Sequence, residues 1–218
     1  MLKRTGERLD REAIWKAVGE AHATLHVREE DHGSIDKLLH ALRMEFDLIL
    51  TLDDDMIYSP ELVRDLLAYS EEFPESALCY RGKIIEPGKS YRRTTLLEGK
   101  CGGRRQRGVR QSKGEPVDII TGVWGALYRR EWFDYDTLLE RSRRFPSTDD
   151  IVISSLLAEL GIEKRLVELK AERPFAMPTC RINELFKINR HNSGYGTPND
   201  RAIAELFSSS IASDSDLV

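Results

Sequence analysis

Along the first 80 residues the apolar positions switch repeatedly between helical spacing and unbroken runs. Asp10 reads as an N-cap with Leu9 and Ile14 placed as a hydrophobic staple, opening a helix that continues to about Ala21. A short strand, Thr24-Leu25-His26-Val27, follows. Ser34 then caps a helix in which Ile35, Leu38, Leu39 and Leu42 fall at i, i+3, i+4 and i+7. Residues 47–52, DLILTL, carry no polar residue but Thr51 after Asp47, which predicts a strand covered on both faces. Ser59-Pro60-Glu61 sets a cap, a proline at N1 and an acid in the first turn. The helix it starts is expected to bury Leu62, Val63, Leu66 and Leu67 and to stop before Pro74. Ala77-Leu78-Cys79-Tyr80 is a further strand, and the alternation predicts an α/β fold with a mixed, mainly parallel sheet flanked by helices.

The second half is less regular. Residues 99–114, GKCGGRRQRGVRQSKG, are rich in Gly and Arg without apolar anchors, and a mobile loop is expected. Val117-Asp118-Ile119-Ile120 and Val123-Trp124-Gly125-Ala126-Leu127-Tyr128 read as strands around Thr121-Gly122. Thr148 or Ser147 caps a helix from Asp149 to Leu160, ended by Gly161 at C′, and a strand near 162–168 follows. Thr197-Pro198-Asn199-Asp200 starts a last helix with Asp200 at N3. The expected organisation is one domain over 1–207 and a disordered Ser- and Asp-rich tail, 208–218.

Composition narrows the classes. The 218 residues are 40% hydrophobic and 32% charged, ordinary for a globular domain with a real core. A net charge of -4 argues against a dominant nucleic-acid-binding surface. Cys79, Cys101 and Cys180 fit neither a disulfide framework nor a zinc ribbon, and suit a reducing, cytoplasmic setting. No apolar run is long enough for a signal peptide or a membrane span, so peripheral membrane association is the most that is expected.

Candidate chemistry begins where the strand 47–52 runs into Asp53, Asp54 and Asp55. Open α/β sheets bind ligands at the carboxyl ends of their strands. Adjacent carboxylates there need a compensating cation or raised pKa values. Oxygen ligands favour the hard ions Mg²⁺ or Mn²⁺, which commonly take phosphate oxygens as further ligands. Period two puts Asp53 and Asp55 on one side and Asp54 on the other, a D-x-D clamp suited to a metal and a diphosphate. A second acid pair, Asp149-Asp150, complements a helix dipole or serves as chemistry. A helix N-terminus would weaken Asp150 as a base, whereas burial would strengthen it.

LILTLDDDMIYSPELVRDLL resembles the D-x-D segment of GT-A-fold glycosyltransferases, in particular bacterial family 2-like ones reading roughly ITxDDDxxYPxxxxxxL. DHGSIDKLLHAL resembles their G-P-x-x-K-L segment, without the Pro after Gly33. DIITGVWGALYRREWF resembles their Gly-rich acceptor-side strand, and STDDIVISSLLAELGI the helix start that carries the catalytic acid. The likeness spans roughly residues 20–170 in order. Those proteins begin with a strand and loop that cradle the nucleotide base, whereas this chain opens on what reads as the following helix. Either an upstream segment is missing or the fold does without it.

The resemblance implies a GT-A, nucleotide-diphospho-sugar transferase fold and inverting transfer of a sugar from a nucleotide-sugar donor to a saccharide or lipid-linked glycan acceptor. It implies Mn²⁺ or Mg²⁺ held by Asp55 and Asp53, with His191 as a third ligand, and donor contacts from Asp53, Asp54 and Lys37. Asp150 would be the base and Asp149 would orient the acceptor. Lys37 is equally a solvated helix face, and His191 equally a surface polar group. Gly122 and Gly125 suit close backbone approach to a sugar, with Trp124 as a stacking platform or as ordinary core. The arginines of 99–114 would close over a diphosphate or meet an anionic acceptor, or else remain solvated. A nucleotidyltransferase is the alternative enzyme, though the Gly-rich basic phosphate loop usual there is not seen. A sugar-binding relic of a glycosyltransferase is the alternative without catalysis.

Overall fold

The computed structural model describes residues 24, 26, 30–99, 110–112, 114–168, 170, 173–176 and 196–208. The expected helix from Asp10, the tail from 209, Cys101, Cys180 and His191 lie outside them, and of the strand 24–27 only the exposed Thr24 and His26 are described.

Three of the central strands are β1 (Leu48–Thr51), β3 (Ser76–Cys79) and β9 (Glu163–Leu166); the fourth is β8 (Ala126–Arg129). Their order is β1-β8-β3-β9. β8 runs antiparallel to both β1 and β3, and β3 runs parallel to β9. The mainly parallel sheet expected from the alternation is therefore corrected: the fold is mixed α/β, with mostly antiparallel pairing. The reason is the path from β3 to β8. Among its described residues it makes no helical crossover but runs through a second sheet and returns from the opposite end. That sheet joins β4 (Arg81–Ile84), β5 (Thr95–Gly99), β6 (Arg110–Ser112) and β7 (Ile119–Ile120) in the order β6-β5-β4-β7. β6 lies within the stretch read as a loop and pairs in parallel with β5. β2 (Met56–Ile57) and β10 (Phe175–Ala176) form a separate antiparallel ribbon. β1, β3 and β9 still run one way, so their carboxyl ends share one rim with the start of β8.

Both faces of the central sheet are packed. Ile49, Cys79, Ala126 and Tyr128 face a core with α1 (Asp36–Ala41), α4 (Asp149–Glu159) and α5 (Pro198–Leu206). Leu78 and Leu127 face a smaller cluster with α2 (Leu62–Glu72), against which Leu48 and Leu50 also pack. The double coverage expected for β1 is what the strand has. α3 (Tyr135–Arg144) lies between β8 and α4 in the chain and buries Leu138 in the larger core.

Several local expectations shift. Ser34 sits inside a 3₁₀ turn, Gly33–Ile35, and does not cap; the Asp36 carboxylate instead accepts from His32 N at 2.9 Å. In α2, Val63 and Leu67 are exposed, at 52% and 43%, while Asp65 and Tyr69 are buried with Leu62 and Leu66. The inward stripe is 62-65-66-69, one helical face. Asp65 is tolerated there because its carboxylate accepts from Lys170 N at 3.3 Å and pairs with Arg64 at 3.4 Å. The strand expected from Val123 starts at Ala126, after a 3₁₀ turn over Gly122–Trp124.

The C-terminal end of α4 and the start of α5 are as predicted, whereas Thr148 at the start of α4 makes no side-chain cap and donates to Phe145 O instead. Gly161 takes φ +71°, with Ile162 N donating to Leu157 O at 2.8 Å. Thr197 and Asp200 form a reciprocal capping box with Pro198 at the first helical position. Asp200 also accepts from Tyr91 N at 2.7 Å. Thr197→Ala should cost about 1 kcal/mol, a loss of roughly 2–4 °C in Tm. An unchanged melting curve would show that the box contributes nothing.

Candidate functional site at the rim of the central sheet

β1 ends at Thr51, and Leu52 leads into Asp53 two residues later. Asp53 N donates to the Tyr58 hydroxyl at 2.9 Å, and that hydroxyl donates to Val123 O at 3.0 Å. One phenol thus fastens the aspartate loop to the turn that precedes β8. Asp54 is exposed and Asp55 half-buried.

Lys37 projects from α1 into the same place. Its Nζ donates to Asp53 Oδ1 at 2.8 Å and lies 3.5 Å from Asp149 Oδ2. Burial works against its charge, but Asp149, Asp53 and Asp150 outweigh that and hold its pKa well above the ordinary lysine range. Part of the charge that seemed to require a divalent ion is offset by this ammonium, through Asp53 and Asp149. Lys37 is therefore neither a solvated face nor simply a nucleotide contact: it bridges the two acid pairs.

Asp149 and Asp150 open α4, the bland role foreseen for them. Asp150 also turns inward, where its Oδ1 accepts from Gly122 N at 3.0 Å. Burial first, then the Asp149 charge, push its pKa up to about 7, against the pull of Lys37 and the Gly122 N–H. A carboxyl with a pKa there is matched to proton transfer near neutral pH. A Cβ at Gly122 would stand 3.3 Å from Asp150 Oδ1 and 3.4 Å from Lys37 Nζ, so the glycine leaves room for both.

The sequence-predicted residues divide accordingly. Asp53, Lys37, Gly122, Asp149 and Asp150 meet at one point. Gly125 instead takes φ +94° with Leu52 Cδ2 3.1 Å from where its Cβ would be, so a side chain there would be both strained and crowded. Trp124 is 3% exposed, which corrects the open stacking platform to the core reading. Its ring is flanked by the guanidiniums of Arg81 and Arg173, 5.4 and 5.0 Å from the centroid. His191 falls outside the described residues.

Residue-by-residue reading missed Tyr58, Arg81 and Glu98. Tyr58 had a signal, since it stands at the tyrosine of the D-x-D pattern. Arg81 and the buried Glu98 had none: they lie on adjacent strands and pair at 3.4 Å, where burial pushes the Glu98 carboxyl up and the Arg81 guanidinium down. Among the described residues, no group of three or more His, Cys, Asp or Glu side chains is arranged to hold a metal ion. Comparison with protein-family models and with curated proteins found no match to this chain.

Proposed function

We propose that the chain is a metal-dependent, inverting glycosyltransferase of the GT-A type, taking a sugar from a nucleotide-sugar donor to a hydroxyl of a saccharide or lipid-linked glycan. The observation that carries the reading is the convergence of Asp53 with Asp149 and Asp150 across Lys37. It gathers the D-x-D segment and the second acid pair at the rim where β1, β3 and β9 end. Among the described residues no helix is long and apolar enough to cross a membrane.

The donor set fits Mg²⁺ or Mn²⁺ only as a shared site. Asp53 and Asp55 would hold the ion, and such ions take one or two carboxylates and complete their shells with water and phosphate oxygens. When bound, it would neutralise the charge that develops on the departing diphosphate. The chain's own residues do the rest. Asp150 takes the proton of the acceptor hydroxyl as its oxygen bonds to the anomeric carbon and the bond to the nucleoside diphosphate breaks. The Gly122 N–H holds Asp150, and Asp149 orients the acceptor. Lys37 keeps the acids together before the ion arrives, and Tyr58 keeps the Asp53 backbone against Val123.

A panel of nucleotide sugars, screened by thermal shift with and without Mn²⁺, tests this. One donor should stabilise the chain by about 2–3 kcal/mol when saturating, and only with the ion. No shift with any donor would remove the reading. The pairing of Asp53 with Lys37 favours one competitor, a sugar-binding relic that never takes up an ion. Mn²⁺-dependent release of nucleoside diphosphate separates the two.

A further inference from the structure

Residues 57–61 and Arg64, with Lys170, Arg173 and Phe175, line a groove of about 510 Å³, within the roughly 300–1,000 Å³ of small-molecule sites. Its charge is one-sided. Arg64, Lys170 and Arg173 line it against one carboxylate, Glu61, which already accepts from the Ser59 hydroxyl. Its apolar wall is open to water: Ile57 is 42% and Phe175 55% exposed, paired on the β2–β10 ribbon. The cationic side is held in place. Asp65, buried in α2, pairs with Arg64 at 3.4 Å and accepts from Lys170 N at 3.3 Å. Arg173 stacks on Trp124. Asp53, Asp149, Asp150 and Lys37 do not line the groove, whereas Tyr58 does, and its hydroxyl holds the Asp53 backbone. The groove therefore adjoins the acid rim without being part of it.

We propose that this groove binds an amphiphilic phosphate monoester. The phosphate sits on Arg64, Lys170 and Arg173, where guanidinium forks match its oxygens. The apolar part lies on Ile57, Pro60 and Phe175. Resting on the glycosyltransferase reading, the acceptor is then a molecule anchored here by its phosphate while its free hydroxyl reaches the acid rim past Tyr58. A neutral saccharide would bring no charge to the cationic side and would leave the apolar wall wet.

The test is isothermal titration of the full chain in EDTA, which silences metal-dependent donor binding, with hexyl phosphate, inorganic phosphate and hexyl glucoside. Hexyl phosphate should bind about tenfold or more tightly than either of the others. Lys170→Gln combined with Arg173→Gln should weaken it by about tenfold or more. Arg64→Gln, at a side chain 71% exposed and with an amide that can still donate to Asp65, should weaken it in the same direction should the double variant fold poorly. Equal binding of hexyl glucoside, or undiminished binding in a folded charge variant, would overturn the proposal. So would binding to phosphatidylglycerol vesicles without binding of hexyl phosphate, which would point to a membrane surface. Because no donor or ion is present, these results stand apart from the donor screen: either can fail while the other holds.

Discussion

Replacing Lys37 by methionine is expected to destabilise the chain at pH 8 by about 3 kcal/mol, roughly 6–12 °C in Tm. The ammonium is the counter-charge to Asp53 and Asp149, with side chains only 22%, 28% and 14% exposed, too enclosed for water to screen in full. Removing it strands their charges together with that of Asp150, and breaking such a pair costs far more than the pair contributes. The sign with pH separates the two chains. In the parent, the folded pKa of Lys37 is raised above 10.5, so its stabilisation is complete below that pH and is lost as the pH climbs past it. In the variant, the deficit should shrink in acid as the orphaned carboxylates protonate. Manganese should restore part of the loss at pH 8 and EDTA should remove that part, since a divalent ion can take over the neutralisation. A Tm within about 2 °C of the parent would show that the three acids do not depend on Lys37.

Asp150→Asn should divide function from stability. Sugar transfer should fall by about 10²–10⁴, the usual loss of a positioned base, while donor binding persists. The amide oxygen still accepts from Gly122 N, so the local geometry is retained. Stability should move the other way. With its pKa raised from 3.8 to about 7, Asp150 holds its proton more tightly folded than unfolded. The parent chain is thus favoured below the unfolded value and loses that stabilisation as pH rises through the folded one. Asparagine mimics the protonated form. In EDTA the variant should therefore match the parent near pH 4 and exceed it by about 2–3 kcal/mol at pH 8. Undiminished transfer would end the role of Asp150 as base. A stability difference that ignores pH would mean the carboxyl titrates normally.

What could be read in the chain depended on whether its cause was local. The Thr197–Asp200 box and the Gly161 ending need only neighbours a few residues away, and both are present as expected. The face of α2 was misread because Val63 and Leu67 look as apolar as Leu62 and Leu66. What turns the helix is Asp65, satisfied by a backbone amide at position 170. The direction of β8 was equally hidden, since strand alternation does not tell a crossover from a return path. At the rim, acids at the strand end and at the start of α4 were legible, but their shared counter-charge was not. Nothing in the spacing of Lys37 announces two partners, one after β1 and one at the start of α4.

The reversed strand also has a consequence during synthesis. β1 and β3 have no direct ladder with each other; each pairs with β8, which begins at Ala126. A nascent chain halted before that residue holds two apolar strands with nowhere to dock, so the sheet closes late, over long sequence separations. Until β8 leaves the ribosome, β1 and β3 present unpaired apolar strands of the kind that invite aggregation.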